Sequence, residues 1–244
     1  MDILYIATFL VAFFSSILSG MAGGGGGFVM APYWLAIGLT PAQGAAVGSF
    51  MATGMAMSSV AVIRKAENFP KDKRLLFTMS GAALIAALAG AIILPKVDAQ
   101  TFKYVLAFIT LVSIPLLFTK LNVKTPGTHT RLGIGLAICF LVAGSITMSS
   151  AFSILFASTL MIFFSMSVFE MTAVRRLAGL MQSGVMFAIL AANGHFEWEI
   201  AATGFVGGSA GSYIGTKYAI KKGESFAKYT LAFMALASAL VMLV

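Results

Sequence analysis

Apolar residues run along this chain in long unbroken stretches, and polar residues gather in short clusters between them. The stretches cover roughly 3–20, 28–38, 42–63, 75–94, 101–119, 132–147, 150–166, 171–193, 198–216 and 226–244. They do not alternate with a period of two, as barrel strands do. Most approach the length of about 20 residues that a helix needs to cross a hydrocarbon layer about 30 Å thick. The pattern predicts an all-α, polytopic transmembrane helical bundle. The second stretch is too short to cross. It is parted from the first by "MAGGGGGFVMAP", residues 21–32. Two half-helices meeting near mid-membrane give this pattern, so a broken or re-entrant element is expected there.

The chain also repeats itself. "KYVLAF" at 103–108 returns as "KYTLAF" at 228–233, and at the same offset Gly90 answers Gly215 and Lys96 answers Lys221. The repeat divides the chain into a first transmembrane half, 1–120, a linker, 121–131, and a second half, 132–244, each of about five segments. Charge then orients the halves. The stretch "RKAENFPKDKR", 64–74, holds five basic residues, and short basic loops stay in the cytoplasm. Its counterpart "ANGHFEWE", 192–199, holds two acids and no Lys or Arg, which sets it outside. Equivalent loops on opposite faces mean inverted repeats, with the basic linker inside and both termini outside. Transporters of this kind hold substrate near the midplane, where broken helices of the two halves meet.

Composition narrows the classes. Of 244 residues, 59% are hydrophobic and 10% charged, against about 25% charged in a soluble domain. The first segment lacks a basic leading region and reads as part of the mature protein rather than a signal peptide. Cys139 is the only cysteine, which excludes an intramolecular disulfide and a Cys-rich metal site. The net charge of +8 is scattered over loops, so it signals sidedness and not nucleic acid. Neither His129 nor His195 has a partner at ligand spacing, so neither a metal nor a cofactor is expected and catalysis ranks behind transport.

The glycine run carries the candidate chemistry. Non-helical backbone at mid-depth must be buried in protein or line a wet cavity. Gly24, Gly25, Gly26 and Gly27 allow close approach to a ligand, and the N–H groups opening the next helix near Phe28 form an anion seat reinforced by the helix dipole. The corresponding stretch of the second half, "SITMSSAFS", offers Thr147, Ser149, Ser150 and Ser153 as hydroxyl donors. By inversion the two helix starts converge. Tight helix packing is the competing use of such small residues.

The glycine-rich turn followed by an apolar residue and a proline, "GGGGGFVMAP", and then "GLTPAQGAAVGS", resembles the sulfite exporter TauE/SafE family, also called the 4-toluene sulfonate uptake permease family. The resemblance covers the whole chain, although the second half has Ser, Thr and Met where the family often repeats a glycine-rich turn. It implies movement of sulfite, sulfonates or related organosulfur anions across a bacterial inner membrane.

Arg175 and Arg176 lie about six residues past a turn, roughly 9 Å deep in a helix, and an intramembrane charge marks function by default. An interfacial anchor partnered by Glu170 is the competing role. Gln43, Ser49, Thr53 and Gln182 are neutral donor candidates, with Ser183 behind them. Trp34 and Trp198 read as interfacial anchors, and the fifteen methionines as packing. No acid lies clearly within an apolar run, so coupling is left to protonation of the substrate, to a sodium site of backbone carbonyls, or to no ion. The leading reading is a secondary carrier for a small sulfur-containing anion in a lipid bilayer. An anion channel and a small-carboxylate carrier are the alternatives, and oligomeric state is not legible. In a Cys139→Ser background, Phe69→Cys is expected to label with an impermeant maleimide only from the cytoplasmic side and His195→Cys only from outside. The reverse pattern sinks the inversion.

Overall fold

The computed structural model describes residues 2–24, 26–65, 73–98, 100–101, 130–147, 155–156, 159–161, 163–164, 166–223, 225–227, 229–230 and 233. Seven helices carry the described architecture. They are α1 (Asp2–Met21), α2 (Gly27–Ala36), α3 (Pro41–Ile63), α4 (Lys73–Ile93), α5 (Thr130–Thr147), α6 (Val168–Ala192) and α7 (Trp198–Lys222), with a 3₁₀ turn at Leu94–Lys96 after α4. There is no strand among the described residues. Four of the spans, Ile3–Met21, Pro41–Ile63, Arg74–Lys96 and Phe169–Ala192, are long and apolar enough to cross a membrane. The protein is therefore an all-α, multi-pass membrane protein. The fifth predicted segment, most of the tenth and part of the seventh lie outside the described residues.

The helices bury small and hydroxyl side chains and expose large apolar ones, as expected where the solvent is lipid. On α1, Ile3, Ile6, Leu10 and Phe14 face outward, while Thr8, Ala12, Ser15, Ser16 and Ser19 are buried. On α4, Phe77, Leu84, Ile85, Leu88 and Ile92 face outward over a buried row of alanines. Helix α7 is less apolar because most of its length is a packing surface. A Cβ placed on Gly207 would lie 2.7 Å from the Phe9 carbonyl oxygen, and Cβ atoms on Gly211 and Gly215 would overlap the carbonyls of Phe13 and Ile17. The small residues at every fourth position bring α7 against the main chain of α1.

Local signals set the helix ends. Thr40 caps α3 and Ser167 caps α6, each in a reciprocal capping box, with Gln43 and Glu170 respectively. At the other ends, α2 closes through Gly38 (φ +90°) and α6 through Gly194 (φ +81°). In each case the last two N–H groups turn back, Leu39 to Trp34 and Gly38 to Leu35, His195 to Leu190 and Gly194 to Ala191.

Side-chain pairs fix the directions. Gln43 meets Glu197 and Thr53 meets Ser183, so α3 and α6 are antiparallel. Tyr33 bonds Thr8 while Gly26 lies against Ser19, so α2 folds back along α1. The broken element expected at the glycine run is therefore a short helix folded back on α1, and its 10 residues rise only about 15 Å. Packing partners are α1 with α7, α3 with α7, α3 with α6, α6 with α4, and α4 with α5. Exchanging α1 with α5, α3 with α6 and α4 with α7 reproduces the same set. Gly90 packs on the Ser145 carbonyl of α5 as its sequence counterpart Gly215 packs on Ile17 of α1.

Trp34 departs from expectation. It is 1% exposed, in the core with Met30, Val47 and Met51, because α2 turns inward and carries it away from any interface. Trp198, at the start of α7, is exposed as an anchor would be. Gly211→Val is expected to cost at least the 1–3 kcal/mol of a typical overpacked site and to lose monodisperse protein in size-exclusion chromatography. Gly184, with open space around its Cβ position, should accept Ala with unchanged or higher thermal stability.

Candidate functional site

The site grows out of the end of α1. The helix closes with Ala22 N–H on the Leu18 carbonyl, and Gly23 (φ +72°) turns the chain in the left-handed region that favours glycine. Two arginines of α6 receive this turn. Arg175 donates from Nη1 to the Gly23 carbonyl at 2.8 Å, and Arg176 from Nη2 to the Ser19 carbonyl at 3.1 Å. The contact is close enough that a Cβ on Gly23 would strike Thr172 and one on Gly24 would strike the Arg175 guanidinium. Glu170 does not reach the arginines. Its carboxylate accepts the Ser167 N–H at 3.0 Å in the capping box.

Beyond the turn, α2 begins at Gly27, and the first N–H groups of a helix lack intrahelical partners. Gly26 and Gly27 open onto a cavity of about 250 Å³ between α2, α3, α5 and α6. Its lining on α3 runs from Gly48 to Ala56 and on α6 from Arg175 to Met186, which straddles the middle of both helices. Arg175 and Arg176 both line it, and Arg176 is 9% exposed. The Arg176 Nε is enclosed and has no hydrogen-bond partner. The remaining polar lining is neutral, from Ser49, Ser145, Gln182 and Ser183, with Gln182 donating to the Ser145 hydroxyl. Met30, Trp34, Met51, Met55, Phe140, Phe156 and Met186 form apolar walls.

Of the residues singled out in the sequence, the cavity thus gathers Gly26, Gly27, Ser49, Arg175, Arg176 and Gln182. Gly24 stands behind them, against Arg175. Thr53 is not in the lining. It bonds the Ser49 carbonyl and the Ser183 hydroxyl, both at 2.9 Å, and so joins α3 to α6. Gln43 is also elsewhere, in the cap of α3, where it donates to Glu197 at 3.0 Å. Gly25, Ser149, Ser150 and Ser153 lie outside the described residues, as do the side chains of Phe28 and Thr147. Sequence reasoning missed Ser145 and the walls of Met, Trp and Phe. A small hydroxyl residue directly after Gly144, the repeat counterpart of Gly20, was the available signal for Ser145. Among the described residues no group of three or more His, Cys, Asp or Glu could hold a metal.

A family model described as sulfite exporter TauE/SafE matches residues 8–242. The chain belongs to the sulfite exporter TauE/SafE family. No curated protein and no solved structure matches it. The TauE/SafE assignment makes this a membrane transporter family member, with sulfite and related sulfur anions as the implied cargo.

The Gly24–Arg175 contact is open to a direct check. Gly24→Ala should displace the guanidinium from the Gly23 carbonyl and lower stability by roughly 1.5–3 kcal/mol, the scale of a hydrogen bond to a charged group. In an Arg175→Gln background the same change should cost clearly less in thermal unfolding, because the two residues act through one contact. Equal costs in both backgrounds would mean that Gly24 is required for another reason.

Proposed function

We propose that this TauE/SafE protein is a secondary transporter of a small sulfur-containing anion, sulfite or an organosulfonate, bound at mid-depth between two inverted repeats, 1–120 and 132–244, joined by the cytoplasmic linker 121–131. The single observation that carries the reading is Arg176, a buried cation in the wall of a cavity onto which the start of α2 also opens, with its Nε left without a hydrogen-bond partner. A helix N-terminus alone attracts anions weakly. A guanidinium in an apolar surround adds a strong, directional donor.

Three further features support it. The antiparallel α3 and α6, their matching capping boxes 127 residues apart and the exchange-symmetric packing are what inverted repeats require. Repeats of this kind alternate access by moving one half against the other around a fixed site. The neutral donors Ser49, Gln182 and Ser183 give an oxyanion further partners. By the sequence repeat, Thr147, Ser149, Ser150 and Ser153 are the counterparts of the glycine turn and offer hydroxyl donors to the anion. Membership of a transporter family and the apolar spans support a bacterial inner membrane as its location. Coupling, where present, runs through substrate protonation or a sodium ion held by backbone carbonyls, because the mid-depth cavity contributes no carboxylate.

Purified protein in liposomes should show counterflow of labelled sulfite or an organosulfonate, which a channel does not. Arg176→Gln should lose roughly tenfold or more in affinity while remaining folded, and Arg176→Lys should recover part of the loss. Normal anion binding by a folded Arg176→Gln protein would remove this cavity as the site.

A further inference from the structure

The arginine pair also imposes a charge requirement on whatever enters. Guanidinium groups keep their proton throughout the physiological range, so Arg175 and Arg176 bring two positive charges to one wall of the cavity. The chain holds eight acids, and among the described residues none forms an ion pair with Arg175 or Arg176. The described carboxylates have other partners: Glu170 accepts from the Ser167 N–H, Glu197 from Gln43, Glu199 from Tyr5 and Asp98 from Thr101, each keeping its charge at its own place and none bonded to a guanidinium. The side chains of Asp2, Glu67, Asp72 and Glu224 lie outside the described residues. The lining from α2, α3 and α5 contains no ionisable side chain. On α4, the apolar side chains clustered with Met171, Val174 and Ala178 of α6 are Leu75, Met79, Ala82, Ala83 and Ala86, and the charged residues of that helix are the basic Lys73 and Arg74 at its start. Tyr33 of α2 points to Thr8 instead.

Helix dipoles do not alter the count. The carbonyl end of α1 and the N–H end of α2 meet at the same turn, and their partial charges are of similar size and opposite sign. Ser19 and Gly23 carbonyls satisfy donors on each guanidinium without cancelling its charge. A net charge left among thioether and aromatic walls is costly. A singly charged ligand leaves one such charge, and a doubly charged ligand leaves none.

We infer that the cavity selects doubly charged sulfur oxyanions over singly charged ones. This rests on the cavity being the anion site. The favoured class comprises fully ionised sulfite, thiosulfate and sulfonates that also carry a carboxylate, such as sulfoacetate. Simple alkanesulfonates fall outside it.

The test is a binding series on the purified full-length protein. Sulfite is measured at pH 8, where it is mostly the dianion, and at pH 6, where it is mostly hydrogensulfite. Thiosulfate and sulfoacetate serve as dianions at both values, and methanesulfonate and ethanesulfonate as monoanions. The best dianion should bind about tenfold or more tighter than the best monoanion. Sulfite should weaken from pH 8 to pH 6 while thiosulfate does not. Arg175→Gln, which removes one charge, should bring the two classes within a few-fold of each other, and Arg175→Lys should keep them apart. A monoanionic sulfonate that binds as tightly as any dianion, or an unchanged preference in Arg175→Gln, overturns the charge requirement and leaves the anion-site reading standing. Absence of binding by every anion in the series overturns both.

Discussion

A helix that stops inside an apolar protein leaves its last carbonyls without partners, and that deficit must be met on the spot. Here α1 stops at Met21, and the donors come from another part of the chain, the guanidiniums of Arg175 and Arg176 on α6. Much else follows from this contact. It lets the chain reverse at the glycine turn, it seats α2 beside α1, and it holds two cations in the cavity wall with no carboxylate bonded to either among the described residues. The same bonds that complete the fold therefore build the chemistry of the cavity. An anchor at a membrane surface needs none of this, and the acid expected to partner such an anchor, Glu170, is engaged in capping its own helix.

The packing around that contact is made of small groups. Buried hydroxyls link α3 to α7 through Ser59, Ser212 and Thr216, with Ser59 Oγ 2.7 Å from Ser212 Oγ and 3.0 Å from Thr216 Oγ1. Large aromatic side chains cluster instead at the end where α6 turns into α7. Phe50, Phe187, Phe196 and Phe205 interlock there, with Phe50 centroids 4.8 Å from both Phe187 and Phe205. This cluster and the Gln43–Glu197 bond tie α3, α6 and α7 together beside one end of the cavity, whereas its other end rests on the arginines and the glycine turn.

How much of this was legible in the sequence depends on whether the signal is local. The glycine run announced a chain reversal because nothing else permits Gly23 its φ of +72° at so little cost. The embedded arginines stood out because charge in an apolar run needs a reason. Most helix ends fell within a few residues of the ends of the apolar stretches, and the structure adds what sets them, the local cap chemistry of Thr40, Ser167, Gly38 and Gly194. What failed was the assignment of partners. Gln43 has the right chemistry for a ligand, yet the Thr40 cap and Glu197 claim it. Trp34 looked interfacial because its depth depends on α2 turning inward, a tertiary fact. Gln182 met Ser145 only because α5 packs beside α6, and no spacing along the chain encodes that pairing.

The glycines differ in what stands opposite them, and this has a genetic consequence. Opposite Gly208 is the Met51 side chain, and opposite Gly54 are the side chains of Ser209 and Phe205. Bulk added at those glycines can be offset by trimming the partner, so second-site suppressors exist in principle. Opposite Gly211 and Gly215 are the carbonyls of Phe13 and Ile17. Main chain is common to all residues, and no codon change at positions 13 or 17 makes room. A lesion on this stripe has no compensating allele on α1, and reversion to glycine is its direct route back to a fitted interface.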